Sequence, residues 1–178
     1  MNRLISDTSI LWLLPIIFMI HDFEEIIPIP GWVQRNKEQI YNKIPSFAKA
    51  RVEKMSSLTG SQFSAAVGVL FVLFSAAAFL AYEYHFYLLY MVLSLGLFLH
   101  AFFHIGVSLF LRRWTPGVAT SVLLLLPYGV LSIDYFNRND LFVFPDILYF
   151  SLIVILLFMP FLQFLHFIGR KLARSEHQ

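Results

Sequence analysis

Residues 86–111, FYLLYMVLSLGLFLHAFFHIGVSLFL, contain no Asp, Glu, Lys or Arg, and their only strongly ionisable side chains are two histidines. An apolar stretch of 18 or more residues is typical of a transmembrane helix, because about 20 helical residues cross the hydrocarbon core of a bilayer. This stretch therefore predicts a membrane span at Phe86–Leu111.

The composition of the whole chain agrees with a membrane location. It is 58% hydrophobic and 13% charged, and its mean hydropathy is +0.71. Soluble domains carry about a quarter charged residues. The absence of cysteine excludes disulfides, thiolate metal sites and cysteine nucleophiles. We expect one integral membrane domain over residues 1–178, with no separate soluble domain.

We predict an all-α bundle of five transmembrane helices. The first span is the weakest, because its apolar part is short and it is flanked by Asp7 and by an acidic cluster. A signal peptide is the alternative, but no small-x-small cleavage site follows the apolar run. Pro28 and Pro30 should stop this helix, since proline lacks the backbone donor. The predicted spans are Leu4–Ile27, Phe63–Tyr82, Phe86–Leu111, Val118–Tyr135 and Phe142–Ile168.

The lysines and arginines predict the orientation of these spans. With five spans, eleven basic residues fall on one side of the membrane and two on the other. The side rich in basic residues is normally cytoplasmic. We therefore place the N-terminus outside and the tail, residues 170–178, in the cytoplasm.

The basic loop at residues 28–62 is predicted to be cytoplasmic. A short helix over Phe47–Ser57, with Ser46 as its N-cap, would suit an anionic leaflet. A solvated basic loop and a lid over a site are the alternatives.

The segment His21-Asp22-Phe23-Glu24-Glu25 ends the first span. Ionisable groups inside a membrane are costly and usually mark a functional site. His21 lies three residues before Glu24 and four before Glu25, so these three side chains share one helix face, and Asp22 points away from it. The alternative is that the two glutamates simply reach the cytoplasmic interface.

The third span carries a second polar cluster. Gly96, His100, His104 and Ser108 recur every four residues on a helix that is otherwise apolar. Small and polar residues mark the packed face of a membrane helix. With the predicted orientation, this face, the first cluster and His166 share the cytoplasmic half of the bilayer, so we expect the two clusters to meet.

Imidazole and carboxylate groups together are ligands for zinc, iron and manganese. We predict a divalent metal bound by His21, His100, His104 and one of the two glutamates, Glu25 in the preferred set. The other glutamate, Glu24 or Glu25, would be a general base or a partner of a ligand. His166 is a supporting candidate, although a lone buried histidine more often has a structural role.

His21-Asp22-Phe23-Glu24-Glu25 resembles the signature of the HXXEE-domain family of small bacterial membrane proteins. That family's pattern also contains a further histidine, here His100 or His104, and a Tyr-x-Pro-Gly motif. Trp114-Thr115-Pro116-Gly117 is similar to the latter, with Trp in place of Tyr. The resemblance implies a bacterial cytoplasmic membrane location and a role for the His and Glu residues, but no substrate. Pro116-Gly117 predicts a tight turn after the third span.

Three kinds of function fit these observations. The leading hypothesis is a metal-dependent membrane enzyme that acts on a lipid, an isoprenoid or another hydrophobic molecule. The second is a metal-free enzyme that moves protons with His and Glu, as sterol isomerases do. Glutamate intramembrane proteases also pair a Glu-Glu motif with histidines, but they carry Arg where this chain has Ile29.

The third kind of function is a proton or metal-ion transporter or a sensor, for which a polar track across the membrane is expected. The predicted outer halves of the second, third and fifth spans are nearly all apolar, which favours a one-sided pocket. We expect membrane lipids and a hydrophobic small molecule as partners. Nucleic-acid binding has no motif in its support.

Overall fold

The computed structural model of the chain describes residues 5–56, 59–143, 145–146, 148–154 and 156. Within this part of the chain every regular element is a helix, which confirms the all-α prediction. The helices are α1 (Asp7–Ile26), α2 (Ile29–Lys43), α3 (Ser46–Ser56), α4 (Gly60–Tyr84), α5 (Tyr87–Leu111) and α6 (Val118–Arg138). A π-helical turn at Ser121–Leu125 interrupts α6 near its start. Residues 145–146, 148–154 and 156 are also helical.

Three of the described helices, α4, α5 and α6, are long and apolar enough to cross a membrane. They correspond to the predicted second, third and fourth spans, and their ends differ from the predictions by three residues or fewer. The predicted first span corresponds to α1. This helix contains four acidic residues, so by composition it is not among the helices apolar enough to cross a membrane. The predicted fifth span, Phe142–Ile168, lies mostly outside the described residues.

The segment after α1 is largely helical, which corrects the predicted loop at residues 28–62. The prolines end α1 as expected, but α2 then begins at Ile29 with Pro30 in its first turn. Proline is tolerated there because the first N–H groups of a helix have no partner within it. The predicted helix near Phe47–Ser57 corresponds to α3, Ser46–Ser56, but Ser46 is the first residue of the helix and not its N-cap.

Two side-chain hydrogen bonds connect helix α2 with the end of α5. Lys43 Nζ donates to the carbonyl oxygen of Leu111 at 2.7 Å, and Arg113 donates to Asn36 Oδ1 at 2.6 Å. A lysine is favourable there because the last carbonyls of a helix are unpaired and carry partial negative charge. These contacts fix the segment between α1 and α4 beside the end of α5.

Helix α1 packs against α4 through aromatic and small side chains. The rings of Phe18 and Phe74 stack with their centroids 4.3 Å apart. Ala77, Ala78 and Ala81 on α4 are completely buried. Small side chains at such contacts let membrane helices approach closely.

A buried tyrosine pair joins α1, α5 and α6. The hydroxyls of Tyr90 and Tyr128 lie 2.7 Å apart and reach the carbonyl oxygen of Ile10 at 3.1 and 3.3 Å. Polar groups in the core of a membrane bundle need such internal partners because water is absent there. The contact fixes the spacing of α6 and of the two helices, α1 and α5, that carry the histidine and glutamate clusters.

An apolar layer separates these tyrosines from the histidines. Leu14 on α1, Leu97 on α5 and Leu125 on α6 each lie between the two polar levels along their own helix. All three are at most 5% exposed and belong to one buried cluster. We refer to these three leucines as the apolar layer.

Many large apolar side chains lie on the outside of the bundle. Extended apolar patches are rare on soluble monomers, so these surfaces suit contact with lipid. Exposed examples from α4, α5 and α6 are Phe71, Val72, Phe79, Phe102, Phe103, Leu109, Val122, Leu123 and Val130.

Gly129→Ala should destabilise the contact between α5 and α6. A Cβ at this position would collide with the ring of Phe98 and lie 2.9 Å from Phe98 Cβ, so a rotamer change alone cannot relieve the clash. Overpacking of this kind costs roughly 1–3 kcal/mol. We expect a lower unfolding temperature in detergent.

The matched control for Gly129 is Gly68→Ala in α4. A Cβ added at that position meets open space, and alanine is the better helix former. Equal unfolding temperatures for the two variants would contradict the packing described for α5 and α6.

Candidate metal centre

Four of the predicted site residues lie together between α1 and α5. His21 and Glu25 come from α1, and His100 and His104 come from α5. One potential ligand atom from each side chain lies within 4.8 Å of all the others. We refer to these four residues as the His/Glu cluster.

The closest contacts of the His/Glu cluster converge on one histidine nitrogen. His104 Nε2 lies 2.8 Å from Glu25 Oε1 and 2.7 Å from His100 Nε2. The ring of His21 stands edge-on to both other histidines, with centroid distances of 5.0 Å to His104 and 5.2 Å to His100. The arrangement brings three imidazoles and one carboxylate to a common point.

The His/Glu cluster is largely shielded. His21 is 1% exposed, Glu25 and His104 are each 7% exposed, and His100 is half-buried. An unpaired charge in such surroundings is strongly unfavourable, so a carboxylate there needs a cation as its partner. That cation is either a proton held by a histidine or a bound metal ion.

The turn after α5 is fitted around the cluster. His104 Nδ1 lies 3.1 Å from the carbonyl oxygen of Pro116, which can only accept, so this nitrogen carries a proton. Gly117 has a φ of +85°, and a Cβ added to it would lie 2.7 Å from the His104 ring and 3.0 Å from Glu25 Oε1. The Pro-Gly pair therefore supplies both a hydrogen-bond acceptor and the space that the cluster occupies.

Glu24 does not join the His/Glu cluster. Its Oε2 accepts from the Thr120 N–H at 2.8 Å and from the Thr120 hydroxyl at 2.6 Å, and its Oε1 accepts from the Ala119 N–H at 3.2 Å. A carboxylate is favourable at a helix N-terminus because the first N–H groups are unpaired and carry partial positive charge. The two glutamates therefore occupy different positions, which the sequence alone left open.

The remaining predicted residues lie apart from the cluster. Trp114 is 69% exposed, whereas its neighbour Thr115 is buried. Ser108 donates to the carbonyl oxygen of Arg113, and Gly96 faces Val154. His166 lies outside the described residues.

Sequence reasoning missed one residue beside the cluster, Thr120, and did not foresee that Asp22 is buried. Thr120 Oγ1 lies 2.7 Å from His21 Nδ1, and the sequence signal for it was only its place three residues after the Pro-Gly turn. Asp22 was expected to point away from the cluster face. It is nevertheless 6% exposed, and its Oδ2 has no hydrogen-bond partner among the described residues.

Two chemical uses suit this arrangement. Imidazole nitrogens with a carboxylate oxygen form the ligand sets of zinc, iron and manganese centres. The same groups in short contact can also share and transfer a proton.

The fold and the cluster together define a helical membrane protein with a buried His/Glu centre. A family model described as "Protein of unknown function with HXXEE motif" matches residues 12–132, and the chain belongs to this family. The motif residues are His21, Glu24 and Glu25. The matched region includes most of α1, all of α5 and most of α6. Comparison with curated proteins and with solved structures gives no match.

Proposed function

We propose that this protein is a metal-dependent membrane enzyme that acts on a lipid, an isoprenoid or another hydrophobic molecule. The observation that carries the proposal is the convergence of His21, Glu25, His100 and His104, whose ligand atoms all lie within 4.8 Å of one another. Four such groups are rarely gathered inside an apolar bundle without a functional reason.

In this proposal the three histidines hold a zinc, iron or manganese ion. Glu25, 2.8 Å from His104 Nε2, is placed either to complete the ligand set or to accept a proton from water. When bound, the metal supplies a nucleophile from water near neutral pH. Glu24 stays on the start of α6 and orients its neighbours, because both of its oxygens are already hydrogen-bonded there.

A hydrophobic substrate fits the surroundings of the cluster. The helices that carry it have outer surfaces lined with large apolar side chains, so molecules dissolved in the bilayer reach the protein directly. The bilayer therefore supplies both the environment of the protein and the class of substrate that we propose.

We further propose that α1 crosses the bilayer as one of five spans. Its 20 residues match the thickness of the hydrocarbon core. A stripe of exposed apolar side chains follows one face of α1, while Asp22 and Glu25 are buried and Glu24 binds the start of α6. The stripe consists of Trp12, Ile16, Ile20, Phe23 and Ile27.

The same proposal places the N-terminus outside and the His/Glu cluster in the cytoplasmic half of the bacterial cytoplasmic membrane. It rests on the eleven basic residues assigned to the cytoplasmic side. Lys43 and Arg113 are two of these eleven residues, and their contacts place both of them at the same end of α5, as a common side of the membrane requires.

A transporter or sensor is less well supported than an enzyme. A transport route needs polar or hydrated groups across the full thickness of the membrane. The apolar layer of Leu14, Leu97 and Leu125 is buried and lies between the His/Glu cluster and the tyrosine pair along the three helices. This favours a pocket that opens to one side.

A metal-free proton-transfer enzyme is the second candidate. The 2.8 Å contact between His104 Nε2 and Glu25 Oε1 has the length of an ordinary charge-assisted hydrogen bond, so a proton alone can satisfy it. Such a pair can move a proton on a lipid double bond. This candidate predicts activity that persists after treatment with a chelator.

Elemental analysis of detergent-purified protein tests the metal proposal. We expect close to one equivalent of zinc, iron or manganese per chain in the wild type and a strong loss in His100→Ala. His85→Ala is the matched control, since His85 is exposed in the turn between α4 and α5. A folded wild type that holds no metal after incubation with all three ions would contradict the metal-dependent enzyme and favour the metal-free proton-transfer enzyme.

A further inference from the structure

We propose that Thr120 is a positioning residue: its hydroxyl links His21 to Glu24 and fixes which nitrogen of His21 is left to bind a ligand. This inference rests on the proposed function for its purpose, but its geometry stands independently. It assigns separate roles to the two glutamates of the motif.

The direction of each hydrogen bond follows from donors and acceptors. Glu24 Oε2 already accepts from the Thr120 N–H at 2.8 Å, so it is an acceptor for the Thr120 hydroxyl at 2.6 Å. The hydroxyl has one proton, and its other acceptor, the Gly117 carbonyl oxygen, is 3.5 Å away. With that proton given to Glu24, Thr120 Oγ1 accepts from His21 Nδ1 at 2.7 Å.

The other nitrogen of His21 is consequently the one with a lone pair. His21 Nε2 is buried and has no hydrogen-bond partner among the described residues. A buried polar atom without a partner is unusual in a folded protein and calls for an explanation. A metal ion bound at Nε2 provides one.

The same arrangement recurs on the second histidine. His104 Nδ1 donates to the carbonyl oxygen of Pro116, which leaves its Nε2 directed to Glu25 and His100. Metal-binding histidines commonly donate their second ring N–H to an oxygen acceptor in this way, which fixes the tautomer and raises the basicity of the ligand. His21 uses Thr120 and Glu24 where His104 uses a backbone carbonyl.

The motif can then be explained residue by residue. His21 is the ligand and Glu25 completes the cluster. Glu24 accepts the hydrogen bond of the Thr120 hydroxyl, which in turn accepts from His21 and orients its ring. Because Glu24 also binds the N–H groups of Ala119 and Thr120, the same contacts fix the start of α6 against α1.

The tautomer of His21 can be measured without any metal. We would label the histidines with ¹⁵N, remove metals with EDTA, and record two-bond proton–nitrogen spectra of the protein in micelles, assigning His21 by its loss in His21→Gln. We expect the Nδ1–H form in the wild type and in Thr120→Ser. Thr120→Val, which keeps the shape but removes the hydroxyl, should shift His21 toward the Nε2–H form.

Zinc affinity provides the second measurement. Competition with a chromophoric chelator should show about 10–100-fold weaker Zn²⁺ binding in Thr120→Val, the usual effect of losing such a partner. Thr120→Ser should stay close to the wild type, which separates loss of the hydroxyl from loss of folding.

The outcomes distinguish this inference from the proposed function. An Nε2–H tautomer in the wild type, or one unchanged in a folded Thr120→Val, would overturn the role of Thr120. A wild type that shows the Nδ1–H form and loses it in Thr120→Val, yet binds none of zinc, iron and manganese, would support the role of Thr120 while contradicting the metal enzyme.

Discussion

His104→Ala should remove the metal and also strongly destabilise the folded protein. His104 Nε2 contacts both Glu25 Oε1 and His100 Nε2, and its loss leaves the buried carboxylate of Glu25 without its closest partner. Removing one member of a buried pair typically costs about 3–5 kcal/mol. We expect no bound metal by elemental analysis and a clear fall in unfolding temperature in detergent.

A double variant identifies the cause of that loss. In His104→Ala with Glu25→Gln, no charge remains buried at this point, so part of the stability should return although the metal does not. His85→Ala serves as the control for removing a histidine from the surface. If His104→Ala were as stable as this control and kept its metal, His104 would neither bind the metal nor stabilise the fold through Glu25.

Gly117→Ala should disrupt the cluster without changing any of its four residues. The φ of +85° at Gly117 is unfavourable for an L-amino acid, at a cost of about 1–2 kcal/mol. The new Cβ would also lie 2.7 Å from the His104 ring, which is buried and held by Pro116. We expect at least tenfold weaker Zn²⁺ binding together with a lower unfolding temperature.

Two further variants separate the contributions at Gly117. Gly106→Ala in α5 is the control, because a Cβ there meets nothing within 4 Å. Asparagine tolerates positive φ better than alanine but still has a Cβ, so Gly117→Asn should recover some stability and little zinc affinity. Normal zinc binding by Gly117→Ala would show that the turn does not define the shape of the site.

Much of the cluster could be predicted because helix periodicity and depth in the membrane are both properties of the sequence. The spacing of His21 with Glu25 and of His100 with His104 gives one face on each helix. Similar distances from the basic ends of the two predicted spans then predict that these faces lie at the same level. The structure brings these four side chains together as that reasoning required.

The role of Glu24 could not be predicted in the same way. Its partners, Ala119 and Thr120, are 95 and 96 residues away in the chain, and no periodicity connects them. The contact depends on where the Pro-Gly turn places the first N–H groups of α6. Sequence spacing alone made the two glutamates equivalent, and only the packing of α6 on α1 distinguishes them.

The missed helix α2 has a local cause. Pro28 and Pro30 predicted the end of a helix, and α1 does end just before them. The same residues are compatible with the beginning of a helix, because a proline in the first turn gives up no hydrogen bond. Proline marks a helix boundary without showing on which side of it the helix lies.

The apolar layer also has an energetic consequence for the proposed enzyme. If the buried Leu14, Leu97 and Leu125 block proton passage on one side of the histidines, a proton taken up during turnover and one released later would exchange with the same aqueous compartment. A reaction cycle of this kind moves no net charge through the bilayer. Its rate should therefore be the same in energised and de-energised vesicles, because the transmembrane voltage does work only on charges that cross it.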